Sequence, residues 1–475
     1  MGSRFTNCRQ LVGSAIVVLL TVTACDGTGP AVGPRPGAGP PVSAEAEPRY
    51  GAAPTPHPDV TYQPDVVIVG GGAYSVRSVA ADTFTWRIDP AAANADQLAP
   101  GKVMFLTGRA VGRVVDVRRD GDDLAVAIGP VDITEVIRDG TFSSAEPVPL
   151  AAAVAYPEAA ASWSETTDDD SGTTDGGGGA ADGASGGLLV PAAAKAAAGL
   201  SAKPICCASG VGADFTYASD SVRLVGKVLL KMNTPKASFH LEIQGARVTR
   251  AELQIQGAAA LRVEINGATS NGQNIHRRIP IPVDFSVPIG SVLGVPFSAT
   301  VTQVIGVKTA FSAKNGNIKA TGEWSLNRSI GFGYANGAFG VHAPSSIGVD
   351  QSLINSITGI SVGVNGLILD YHAKFQVGLG ALGFTAGLYF ELTVTLGMTI
   401  GSAAGAPIEV CRSAQLGLWA SYGVGYTIPA ALATVINTFL QLFNAKPIPK
   451  QGGVGNTKNL YDKYAVHPDV PICRA

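Results

Sequence analysis

The sequence predicts an all-β protein: a small N-terminal β domain, then a larger antiparallel β-sandwich or barrel-like domain with one C-terminal amphipathic helix. Three observations carry that expectation. Apolar and polar residues alternate strictly, as in Phe239, Leu241 and Ile243 against His240, Glu242 and Gln244, or Leu261, Val263 and Ile265 against Arg262 and Glu264. A period of two describes a strand with one wet and one buried face. Five Asn-Gly pairs begin at Asn266, Asn271, Asn315, Asn336 and Asn365, and Asn-Gly suits the two positive-φ positions of a type I′ hairpin turn. Fifty-nine glycines, with abundant Ala, Val and Thr, favour strands and tight turns over helices.

Taken in order, the chain opens with Arg4 and Arg9 ahead of an uncharged apolar run over residues 11–22, and Asp26-Gly27-Thr28-Gly29-Pro30 then ends any helix. This is the anatomy of a secretory signal, too short to span a bilayer. Within it, Leu20-Thr21-Val22-Thr23-Ala24-Cys25 resembles a bacterial lipoprotein signal, whose lipobox is an aliphatic residue, two small residues and a cysteine. The resemblance implies diacylglyceryl transfer to the Cys25 thiol, cleavage after Ala24 and a fatty-acylated new N-terminus. Residues 1–24 are then signal peptide. The mature chain is expected to be exported and lipid-anchored to the bacterial cell envelope, on the outer face of a membrane, through Cys25.

Residues 25–64 are rich in Pro, Gly and Ala without periodicity and read as a disordered stalk. The small β domain is placed at 65–155. Its first strand, Asp65-Val66-Val67-Ile68-Val69, runs into Gly70-Gly71-Gly72. That start imitates a dinucleotide-binding unit, but Ser75 stands where its third glycine belongs and no helical pattern follows. Short strands are expected at 83–88, 103–106, 111–117 and 124–128. A helical turn is expected at 132–138, with Asp132 as its cap and Gly140 as its stop. The segment from Pro100-Gly101-Lys102-Val103 to Asp139-Gly140 resembles a module of uncharacterised bacterial surface proteins, which carries no assigned activity.

Residues 156–200, with Asp168-Asp169-Asp170 and a run of glycines, read as a second linker too polar to pack. The nonapeptide period of calcium-binding repeats is missing. Residues 201–475 form the large antiparallel domain, with turns expected at Gly245-Ala246 and at residues 257–260. In its apolar strands Leu388, Phe390, Leu392, Val394, Leu396, Met398 and Ile400 face one way, and Leu416, Leu418, Ala420, Tyr422, Val424 and Tyr426 behave alike. A helix over 430–446 presents Leu432, Val435, Ile436, Phe439, Leu440 and Phe443 at helical spacing, a stripe that reads as core.

Composition narrows the chemistry. Lys and Arg total 34 against 36 Asp and Glu. Losing Arg4 and Arg9 with the signal leaves the mature chain at −4. Its only basic cluster is His276-Arg277-Arg278, read as a solvated loop end, so nucleic acid is not an expected partner. Four cysteines remain once Cys8 leaves and Cys25 is acylated: Cys206, Cys207, Cys411 and Cys473. An even number in an exported chain argues for two disulfides. Vicinal cysteines rarely bond each other, so Cys206 and Cys207 are each expected to reach Cys411 or Cys473. No C-x-x-C pair supports zinc.

Gly359-Ile360-Ser361-Val362-Gly363 matches a nucleophile elbow, with Asp370 and His372 downstream. The elbow needs a strand, a strained turn and then a helix, whereas the flanks here continue a hairpin. No catalytic residue, cofactor or metal ligand is assigned, and the chain is expected to be no enzyme. The function expected is that of a membrane-anchored surface lipoprotein whose β domains bind a protein, glycan or wall component, or build the envelope. A carrier of a lipid or other apolar ligand, held in a cavity of the second domain, is the alternative. A membrane-inserting barrel ranks last, because outer-membrane barrels usually end in an aromatic residue on the last strand.

Overall fold

In the computed structural model the strands follow the alternation of the sequence, and every large sheet is antiparallel. The residues described are 46–80, 83–147, 154–156, 200–206, 210–280, 284–326, 329–342, 347–360, 363–381, 384–403, 406–427, 437 and 451–474. Up to residue 156 the strands are Thr61–Tyr62 (β1), Val66–Ile68 (β2), Val76–Val79 (β3), Thr85–Ile88 (β4), Val103–Phe105 (β5), Val111–Asp120 (β6), Asp123–Gly129 (β7), Ile137–Pro147 (β8) and Val154–Tyr156 (β9). Then come Leu200–Cys206 (β10), Gly210–Ala218 (β11), Val222–Gln244 (β12), Arg247–Thr269 (β13), His276–Pro280 (β14), Asp284–Val292 (β15) and Val295–Phe311 (β16). The remainder are Asn317–Ser325 (β17), Ile330–Ala335 (β18), Ala338–His342 (β19), Gly348–Gln351 (β20), Val364–Ala381 (β21), Phe384–Ala403 (β22), Ala406–Thr427 (β23) and Gln451–His467 (β24).

A six-stranded sheet, ordered β2-β5-β6-β7-β4-β3, organises the first unit; its β2–β5 pair is parallel. A ten-stranded sheet runs β1-β8-β12-β13-β17-β20, with β10-β11 added on β12 and β18-β19 on β13, and an eight-stranded one β24-β23-β22-β21-β16-β15-β9 with β14 on β16. The long strand β12 carries two partners end to end on one edge: β11 along Arg223–Lys231 and β8 along Lys236–Ile243. The two large sheets share one core. Phe332 of β18 stacks on Tyr422 of β23 with ring centroids 5.6 Å apart, and Tyr422 stacks on Phe390 of β22 at 6.3 Å. At another place Phe297 of β16 meets Phe142 of β8 at 5.4 Å and Phe239 of β12 at 5.0 Å. Both apolar faces expected for β22 and β23 lie in this core.

The first unit and the larger part are not joined by a linker alone. Strand β5 alternates between two cores, with Val103 and Phe105 in the large shared one and Met104 in a smaller one around Trp86 and Ile128. Strand β8 belongs to the ten-stranded sheet and β9 to the eight-stranded one. Backbone bonds from Thr55 N to Gly294 O (2.8 Å) and Gly380 N to Gly108 O (2.9 Å) add further ties. The boundary expected at residue 155 is therefore crossed by both sheets. Residues 157–199 lie outside the described residues, as do residues 1–45.

Several local expectations hold. Asp132 caps the helical turn Ile133–Val136 in a capping box with Glu135. Asn336-Gly337, with φ of 53° and 79°, turns β18 into β19 with Ala335 opposite Ala338. Gly245-Ala246 turns β12 into β13. Others give way to long ladders. Gly140 lies inside β8 instead of stopping the helix. Gly257 and Ala258 belong to β13, beside an irregularity in its pairing with β12, and make no hairpin. Asn266-Gly267 and Asn365-Gly366 lie within strands, near the end of β13 and the start of β21, and make no hairpin turn. The triplet His276-Arg277-Arg278 opens β14 and pairs with β16, where a loop end was expected. The helix expected over 430–446 lies outside the described residues except for Asn437, which is helical.

Candidate functional site

Alternation along β21, β22 and β23 sends one set of side chains into the core and the other onto the outer face of the eight-stranded sheet. Two regions of that face differ sharply. Around residues 372–393 it is closed and polar. His372 Nδ1 lies 3.0 Å from Glu391 Oε1 and 3.2 Å from Thr393 Oγ1, all three on adjoining strands. Lys374, only 9% exposed, faces Glu391 across the ladder and holds its Nζ 4.6 Å from the centre of the Tyr389 ring. Tyr389 reaches its buried position because its hydroxyl passes over Gly423 and Gly455, where any Cβ would collide with it.

Burial pushes the Lys374 ammonium down to about 8, while the Glu391 carboxylate acts in the opposite direction. The cluster is thus a buried amine held between a carboxylate and an aromatic face. Since the folded-state pKa lies below the usual 10.5, the unfolded chain holds this proton more tightly. The group therefore opposes folding below about pH 8, and that opposition is relieved as pH rises from 8 to 10.5. Measured against Lys374→Met by urea unfolding, the wild type should gain roughly 3 kcal/mol across that interval. A difference between the two proteins that stays flat from pH 8 to 10 would contradict this.

Farther along the same face the sheet opens. One row across it reads Lys308, Ile368, Gly397, Gln415 and Tyr464, and the next Gly306, Asp370, Thr395, Gly417 and Asp462. In a third row Trp419 stands beside Thr393 and Asn459. Trp419 is 43% and Tyr464 60% exposed, and Gln415 Nε2 donates to Asp462 Oδ1 at 3.2 Å. Sequence reasoning placed Trp419 on no face; the alternation of β23 around Leu418 and Ala420 was the signal that could have found it.

Of the residues singled out from the sequence, Asp370 and His372 do lie on one face of β21, yet His372 engages Glu391 and Thr393, and Ser361 lies outside the described residues. Cys411 and Cys473 are bonded to each other, with Cα atoms 5.3 Å apart. This overturns the pairing in which each reaches Cys206 or Cys207. The register explains it: Arg412 lies opposite His467 at the end of β24, so the short stretch beyond returns Cys473 to Cys411. Cys206 ends β10 opposite Val211, while Cys207 and Cys25 lie outside the described residues. Among the described residues no three His, Cys, Asp or Glu side chains are grouped to hold a metal ion. An open groove of about 780 Å³ runs beside β8 and β12, lined by Ser143, Ser238, His240, Glu252, Ile289 and Leu293.

The fold is thus that of an all-β protein with two large packed sheets and a third, smaller one. Residues 184–456, more than half of the chain, match the family described as Domain of unknown function (DUF8402), and the chain belongs to that family. Residues 46–139 match a second, Domain of unknown function (DUF8403), which ends just before the part of β8 that pairs with β12. No curated protein and no solved structure matches the chain.

Proposed function

We propose that this is a non-enzymatic surface lipoprotein of the bacterial cell envelope, tethered through lipid on Cys25 and acting by what its outer sheet faces bind. The observation that carries the binding part is the filled interior. Aromatic rings bridge the two large sheets at Phe332–Tyr422–Phe390 and at Phe142–Phe297–Phe239. An apolar cargo would need that space. The groove beside β8 is open and mixes Ser, His and Glu with its apolar walls, which suits a carrier of apolar ligand poorly. Exposed aromatic side chains, by contrast, stand on the wet face of the eight-stranded sheet.

The tether rests on the lipobox-like Leu20-Thr21-Val22-Thr23-Ala24-Cys25. Cys25→Ala should leave the protein unprocessed or release it from the membrane fraction, with loss of fatty-acid label. If the substituted protein fractionates with membranes as before and keeps its label, the tether is wrong.

A further inference from the structure

We infer that the open part of the outer face of the eight-stranded sheet binds a linear, uncharged glycan chain; this rests on reading the protein as a surface-binding ectodomain and names its ligand class. Trp419 and Tyr464 stand at the two ends of a strip on one face. Tyr464 lies opposite Gln415, four residues from Trp419 along β23 and one strand over, so the two are separated by about 13 Å along the strands and about 5 Å across them. Several linked sugar rings would cover that span.

Between the two aromatics lie Gly417, which carries no side chain, and the hydrogen-bonded Gln415–Asp462 pair. The Trp419 indole leans toward Gly417, its Nε1 3.6 Å from where a Cβ would stand. An indole or phenol ring packs against the apolar C–H face of a pyranose, and the equatorial hydroxyls then point sideways to polar groups. Such groups are at hand: the Gln415–Asp462 pair within the strip, and Thr395 with Asp370 beside it on β22 and β21. Charge points the same way. Only Lys308 stands against the carboxylates of Asp370 and Asp462 on these rows, so the strip offers no positive field for phosphate or an anionic lipid headgroup. A hydroxyl-rich, uncharged chain matches both its polar floor and its charge.

The test is calorimetric titration of the mature chain in detergent with cellohexaose and chitohexaose. At least one should bind. Trp419→Ala and Tyr464→Ala should each weaken that binding by about tenfold or more, and Trp419→Phe, which keeps a ring in place, by no more than about threefold. Gly417→Gln raises a side chain between the two aromatics and should abolish binding. A Cβ there meets Trp419 Nε1 at 3.6 Å and the Thr395 Cβ at 3.9 Å, ordinary contacts, so the sheet accommodates the change. Tyr74→Ala, an exposed aromatic in the first unit, should change nothing. Binding by neither oligosaccharide, binding indifferent to all of the strip variants, or binding of phosphatidylglycerol vesicles in their place would overturn the inference. Failure of the Cys25→Ala test would instead remove the tether and leave these titrations unaffected.

Discussion

Phe297→Ala should destabilise the whole described fold, lowering its unfolding free energy by about 3–5 kcal/mol. The ring is 1% exposed on β16 and wedges between Phe142 of β8 and Phe239 of β12, so its removal empties a space bounded by both large sheets. Strand β8 leads directly out of the first unit, and Phe105 of that unit lies in the same core. Guanidinium unfolding followed by Trp86 fluorescence, in a background carrying Trp163→Phe, Trp324→Phe and Trp419→Phe so that the signal reports on the smaller core, and by far-ultraviolet circular dichroism should give one transition that shifts as a unit. Two transitions, with only one displaced by the substitution, would mean that the first unit melts on its own.

Loss of the Cys411–Cys473 bond should cost a comparable amount. The bond closes a loop of 62 residues, and the chain entropy it removes from the unfolded state corresponds to about 4 kcal/mol. Cys473→Ser should lower the midpoint accordingly, and reduction should have no further effect of that size on the substituted protein. The loop contains β24, an edge strand, so its pairing with β23 should be the first to open when the bond is cut. Peptide mapping without reduction should recover the segments around Cys411 and Cys473 joined. A map joining either of them to the Cys206-Cys207 segment would refute the assignment.

Much of the architecture was legible because strand patterning is local. The faces of β22 and β23, the capping box at Asp132 and the turn at Asn336-Gly337 all depend on residues within a few positions of one another. What was not legible depends on partners far away in the chain. Asn365 carries a turn signal, yet it is fully buried in β21, and its side-chain amide donates to Ile360 O at 2.9 Å, an anchoring use of Asn that no local pattern reveals. Counting cysteines anticipated disulfides but not register, and register brings Cys473 to Cys411. The Gly- and Asp-rich stretch suggested two separate bodies, because composition is blind to β8 pairing with a strand some ninety positions later. The exposed strip was hidden for a related reason: Trp419 and Tyr464 come together only once β23 and β24 are aligned.

The end-to-end placement of β8 and β11 along β12 has a consequence for the order in which the protein can be made. Strand β8 is synthesised well before its partner, and until Lys236–Ile243 follows it, one of its edges has nothing to pair with. The first unit cannot finish its own packing in isolation, since Phe142 waits for Phe239 and Phe297. Contacts between segments so distant in sequence are slow to form, and an unpaired edge invites association with other chains in the interval. Strand β8 and the strands that complete it are therefore coupled in time as well as in space: its packing is set by the arrival of β12 and β16.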